Sequence, residues 1–113
     1  MPKINPQSSE RAVVFEVTTL KPLPVGQQVF IAGNQPMIGA WHPDGFPLTR
    51  MDDNTWAASA ILPVGEPLEF KVTRGTWDTE AVAEDGSLLP NTTADITINP
   101  RVVATVKRWH DEA

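Results

Sequence analysis

Leu68-Glu69-Phe70-Lys71-Val72-Thr73-Arg74, followed by Gly75-Thr76-Trp77 and a polar run to Asn91, decides how the rest of the chain is read. Leu68, Phe70 and Val72 have one parity and Glu69, Lys71 and Thr73 the other, which is the period-two signature of a strand with one buried face. The apolar set is expected to face a core, with Glu69, Lys71 and Thr73 facing solvent. Beyond Lys71, across a turn at Gly75, stands Trp77. A second indole, Trp41, ends the glycine-bearing stretch Ile38-Gly39-Ala40-Trp41. An outward lysine beside tryptophans on short loops suits a flat, hydroxyl-covered ligand.

The same alternation recurs along the chain. Ala12 to Thr18 places Val13, Phe15 and Val17 inward and Val14, Glu16 and Thr18 outward. Gln28 to Ala32 is a second strand, Leu48 to Arg50 a short one, and Thr55 to Leu62 carries Trp56, Ala58, Ala60 and Leu62 on one side. Asp78 to Val82 reads as a short strand, Ala83 to Thr93 as polar loop, and Asp95 to Ile98 and Val102 to Lys107 as the last strands. Leu23-Pro24-Val25-Gly26 and Leu62-Pro63-Val64-Gly65 are one turn device used twice, each ahead of a strand. Eleven prolines and seven glycines leave few gaps for a helix. Short strands at roughly 8–12-residue spacing predict an all-β fold, an immunoglobulin-like antiparallel β-sandwich of about seven or eight short strands. Residues 1–10 read as a flexible lead-in, 11–109 as the sandwich and 110–113 as a tail.

The totals bound the function. With 113 residues the chain is one domain, and with no cysteine it has neither disulfides nor thiolate metal sites. A net charge of -5 with nine scattered Lys and Arg supplies no basic face for nucleic acid or a membrane surface. No segment approaches a membrane span, and none resembles a signal peptide. A cytoplasmic location is expected if Met1 is the natural start, and that expectation lapses if the domain was cut from a longer chain.

Catalysis finds little support. His42 and His110 pair with nothing at a recognisable spacing, and no nucleophile elbow or metal-ligand motif is present. Asp78 and Glu80 are two apart, but a chain this short can hardly build the cleft of a glycosidase. No enzymatic activity, cofactor or metal is expected. Among the tryptophans, Trp56 is in register with core positions and Trp109 reads as part-buried closure. Trp41 and Trp77 lie in polar, turn-rich loops, where an exposed indole is kept only if covered or used.

At this point the chain resembles the starch- and glycogen-binding modules: carbohydrate-binding module family 20, with features of family 48, which includes the glycogen-binding domain of the AMP-activated kinase β subunit. The resemblance covers about residues 11 to 109. It is carried by Val29-Phe30-Ile31-Ala32-Gly33, Ile38-Gly39-Ala40-Trp41, Pro47-Leu48, Trp56, Leu62-Pro63-Val64-Gly65-Glu66, Leu68-Glu69-Phe70-Lys71-Val72, Trp77-Asp78 and Pro90-Asn91, in family order. It implies a non-catalytic module that binds α-glucan (starch, glycogen or maltooligosaccharide) through Trp41, Lys71, Trp77 and Asn91, with Asp78 as a further acceptor. Where the family often has Pro-Asn-Arg, this chain has Pro90-Asn91-Thr92. The family's second, tyrosine-built site has no counterpart in a chain without tyrosine, so one site is expected. The run from Phe70 to Glu80 also resembles the small β domain preceding some bacterial α/β-hydrolase esterases. The alternative is therefore a structural or protein-interaction sandwich accompanying an enzyme, without glucan binding.

Overall fold

The computed structural model describes residues 10–64, 67–94 and 101–112. Its strands are β1 (Glu10–Thr19), β2 (Phe30–Gly33), β3 (Phe46–Pro47), β4 (Thr49–Asp52), β5 (Thr55–Pro63), β6 (Leu68–Thr73), β7 (Ala81–Val82), β8 (Thr92–Ala94), β9 (Arg101–Val106) and β10 (Arg108–Trp109). One four-stranded sheet has the order β4-β5-β1-β9 and the other β3-β2-β6-β8, with β7 and β10 forming a separate pair. This is an all-β sandwich, and its short strands outnumber the seven or eight expected because pairs of two residues, such as β3, β7 and β10, are too brief to leave an alternation in sequence.

The inward residues of the two sheets meet in one core. Val13, Phe15 and Val17 from β1 and Trp56, Ala60 and Leu62 from β5 pack with Ile31, Leu68, Phe70 and Val72 of the facing sheet. Phe15 joins the layers directly, edge-on to Phe70 at 5.6 Å and to Phe46 at 5.9 Å between ring centroids. Each such side chain, fully buried, contributes about 1.5–3 kcal/mol. Trp56 is core, as its register indicates, with the Arg50 guanidinium over its ring at 5.3 Å. Arg50 also donates to the Leu23 and Pro24 carbonyls at 2.6 and 3.3 Å, fastening the proline-rich connection to β4. Trp109 is buried beneath Arg74, whose guanidinium lies 5.1 Å from the ring centroid and pairs with Asp111.

Several expectations need correction. β1 and β9 run parallel, whereas the other named pairs are antiparallel. A period-two pattern is the same in either direction, so the sequence carries no sign of this. Thr73 is buried rather than solvent-facing, because its Oγ1 donates to the Pro43 carbonyl and accepts the Gly75 N–H at 3.0 Å. Two 3₁₀ turns, Pro36–Ile38 and Trp77–Thr79, occupy stretches read as loop and strand. The strand expected over Asp95 to Ile98 lies outside the described residues.

Candidate functional site

β6 is the frame. It pairs with β2 on one side, Lys71 opposite Ala32 and Phe70 opposite Gly33, and with β8 on the other, Phe70 opposite Thr92. Leu68, Phe70 and Val72 occupy the core, so Glu69 and Lys71 project from the outer face.

Trp41 is attached to the end of β2. After Gly33 the chain closes a 3₁₀ turn, with the Ile38 and Ala40 N–H groups donating to the Gln35 carbonyl at 3.0 and 3.1 Å. Trp41 N–H then donates back to the Gly33 carbonyl at 2.8 Å, and His42 N–H to Gly39 at 2.9 Å. Gly39 takes the left-handed conformation with φ of +98°, and Ala40 and Trp41 follow it at +48° and +65°. For residues with a Cβ this costs about 1–2 kcal/mol each, offset by the turn's hydrogen bonds. Trp41 is 37% exposed. His42 is used locally, its Nδ1 lying 2.9 Å from the Gly39 carbonyl.

Trp77 is presented by the second 3₁₀ turn, entered through Gly75 at φ of +115°. Thr76 and Thr79 form a capping box: Thr76 N–H donates to Thr79 Oγ1 at 3.3 Å and the Thr76 side chain accepts from the Thr79 main chain, while Thr79 N–H also closes the 3₁₀ turn on the Thr76 carbonyl at 3.1 Å. Arg74 N–H donates to the Thr79 carbonyl at 3.2 Å, bringing the turn back against the end of β6. Trp77 is 40% exposed, and Asp78 beside it is also exposed.

Lys71 and Asn91 are each held by a carboxylate. Lys71 Nζ donates to Glu80 Oε1 at 3.3 Å, the two side chains being 20% and 8% exposed. Lys71 is thus mostly covered, and Glu80 is a buried carboxylate, unlike the exposed Asp78 two residues before it. Asn91 Nδ2 donates to Glu69 Oε1 at 3.2 Å. Asn34 fixes Glu69 from the other flank, exchanging main-chain and side-chain bonds with it at 2.9 and 3.1 Å. The polar loop before Asn91 is folded over Ala83 to Ser87, where Ser87 Oγ and N–H both donate to Asp85 Oδ1 at 2.6 and 3.0 Å. The hydroxyl bond first, then the amide, holds the Asp85 carboxyl below its ordinary value.

All five candidate residues therefore sit on β6 or on segments hydrogen-bonded to it or to its neighbour β2. Glu69, Glu80 and Asn34 join them, and sequence reasoning did not single these out as partners: each meets its partner across a turn or between strands, at no regular spacing. A cleft of about 310 Å³ lies elsewhere, between Lys21, Leu23, Arg74, Trp109 and Asp111, and contains none of the candidate residues. Stacking on a sugar ring needs an open indole face, not a cavity. Among the described residues no group of His, Asp and Glu is placed to hold a metal ion.

The starch binding domain family, CBM_20, matches residues 10–105. An amylopullulanase from Thermoanaerobacter thermohydrosulfuricus is 34% identical over 113 residues, covering 96% of this chain and 8% of that protein. An α-amylase from Niallia circulans is 30% identical over 102 residues, covering 89% and 8%. The chain spans less than a tenth of the length of these curated relatives. Among solved structures, the family 20 carbohydrate-binding module of the maltotetraose-forming amylase from Pseudomonas saccharophila STB07 matches with a TM-score of 0.59 at 21% identity, over 84% of this chain and 99% of that one. This last likeness is one of fold. The family match runs from the first residue of β1 into the end of β9 and so takes in both four-stranded sheets: the chain belongs to the starch binding domain family, carbohydrate-binding module family 20.

Proposed function

We propose that the chain is a non-catalytic module that binds α-glucan on the outer face of β6, with Trp41 and Trp77 stacking on glucose rings. In this reading Lys71 and Asn91 donate to sugar hydroxyls and Asp78 accepts from them. The observation that carries it is the exposure of both tryptophans, 37% and 40%, on turns built to display them. Trp41 is held in a strained backbone and Trp77 in a doubly capped turn; core packing asks for neither. Starch, glycogen and maltooligosaccharides share the α-linked glucose chain this site would read. A shallow site of this kind binds weakly, with Kd from about 10 μM to 1 mM.

Neither nucleic acid nor membrane is a partner in this reading, because the charge is -5 and the basic residues are scattered. A catalytic domain is the natural companion, as the long amylolytic relatives suggest. The test is a titration with β-cyclodextrin or maltoheptaose followed by tryptophan fluorescence, beside Trp77→Ala. The expected result is a saturating change in the parent that is lost in the folded variant. No change up to several millimolar would overturn the reading and direct attention to a protein partner on the Trp41 and Trp77 turns.

A further inference from the structure

We propose that Glu80 is a positioning residue for glucan binding, aiming the Lys71 ammonium with its carboxylate while its main chain fixes the turn that carries Trp77. The inference rests on the glucan reading of this face. Glu80 meets three parts of the molecule. Its Oε1 accepts from Lys71 Nζ at 3.3 Å. Its N–H donates to the Trp77 carbonyl at 3.3 Å, closing the 3₁₀ turn, and its carbonyl accepts from His110 N–H at 2.8 Å, anchoring it beside β10. The polar candidate and the aromatic candidate thus share one support.

The chemistry explains why a buried carboxylate would be kept there. Lysine has a flexible four-carbon stem and three donors on a rotating ammonium. A free lysine has to be ordered when a sugar arrives, and that ordering is subtracted from affinity. With the Glu80 carboxylate only 8% exposed and accepting at 3.3 Å, one N–H is committed and the head group is already placed. Two N–H donors remain for hydroxyls. A buried ion pair is by itself weak evidence for stability, so its position between the strand lysine and the tryptophan turn is the informative feature.

A double-mutant cycle separates aiming from simple support. Glu80→Gln keeps shape and main-chain bonds but removes the charge, and Lys71→Met removes the ammonium. With β-cyclodextrin as probe and calorimetry as readout, Glu80→Gln is expected to weaken binding about tenfold in the parent, the weight of one charge-assisted hydrogen bond. In the Lys71→Met background the same change should alter affinity less than twofold, as required if Glu80 acts through Lys71. Equal losses in both backgrounds, or no loss in a parent that binds, would overturn the proposal and leave the glucan reading standing. A parent that does not bind overturns both. Should Glu80→Gln fail to fold, Glu80→Asp, which keeps the charge one methylene further from Lys71, takes its place in the same cycle.

Discussion

Asn91 donates to Glu69 Oε1 across 3.2 Å, and Glu69 lies two residues from Lys71 on the outer face of β6. The amide is therefore oriented beside the candidate site, with its Oδ1 and one N–H unspent on Glu69. Because Asn91 is exposed, Asn91→Ala should leave stability within about 0.5 kcal/mol, as surface changes do. Binding of maltoheptaose should weaken about three- to tenfold, one neutral hydrogen bond. Paired urea and fluorescence titrations check this. A variant that unfolds early but binds normally would place Asn91 in the scaffold instead.

Lys71→Met should cost stability as well as binding. It leaves the Glu80 carboxylate buried without its cation, an arrangement that costs about 3–5 kcal/mol. The double change Lys71→Met, Glu80→Gln should recover most of that loss, since a neutral amide is cheaper to bury. Urea midpoints of the four proteins measure it. Additive losses would mean that the 3.3 Å pair contributes nothing beyond two independent side chains.

The parts of this molecule that were legible in sequence are those decided by one buried face. Val13, Phe15 and Val17, or Leu68, Phe70 and Val72, can alternate with polar residues only if one side of the strand is core, and all six are buried. Trp41 and Trp77 stand out for the opposite reason: their neighbours are turn formers, and both indoles are exposed. What was not legible depends on distant chain. Thr73 is covered because Pro43, thirty residues earlier, brings its carbonyl onto the hydroxyl. Glu80 lies two residues from the candidate Asp78 in sequence, yet its place in the fold comes from a fold-back that puts it on Lys71.

Acid should weaken the loop before Asn91. Hydrogen bonds from Ser87 hold the Asp85 carboxyl below its ordinary value of 3.8, and bonds led by the Asn54 amide do the same for Asp52 in the β4–β5 turn. A carboxyl depressed in the fold stabilises it fully above the unfolded value and loses that contribution as pH falls through the folded value. The gap in urea midpoint between the parent and Asp85→Ala should therefore be constant near neutrality and narrow from about pH 4 downward. A gap that stays level to about pH 2 would show that the Asp85 charge has no part in the turn.

The turn carrying Trp41 should be most sensitive where its backbone is tightest. Ala40 holds φ of +48° with a Cβ that glycine would not have, so Ala40→Gly should raise stability by about 0.5–1 kcal/mol, the left-handed cost less the added entropy of glycine. Its N–H bond to the Gln35 carbonyl survives the change, so affinity for β-cyclodextrin should move less than about twofold, too little to register as a lost contact. Gly45→Ala is the opposing case. A Cβ there would run into the backbone of Gly39, which cannot yield as a flexible side chain would. Moving Gly39 displaces the residue that sets up Ala40 and Trp41, so this variant should lose about 1–3 kcal/mol and bind more weakly. If Ala40→Gly instead destabilised the protein, the left-handed pair would not be the strained element, and the exposure of Trp41 would need another physical cause.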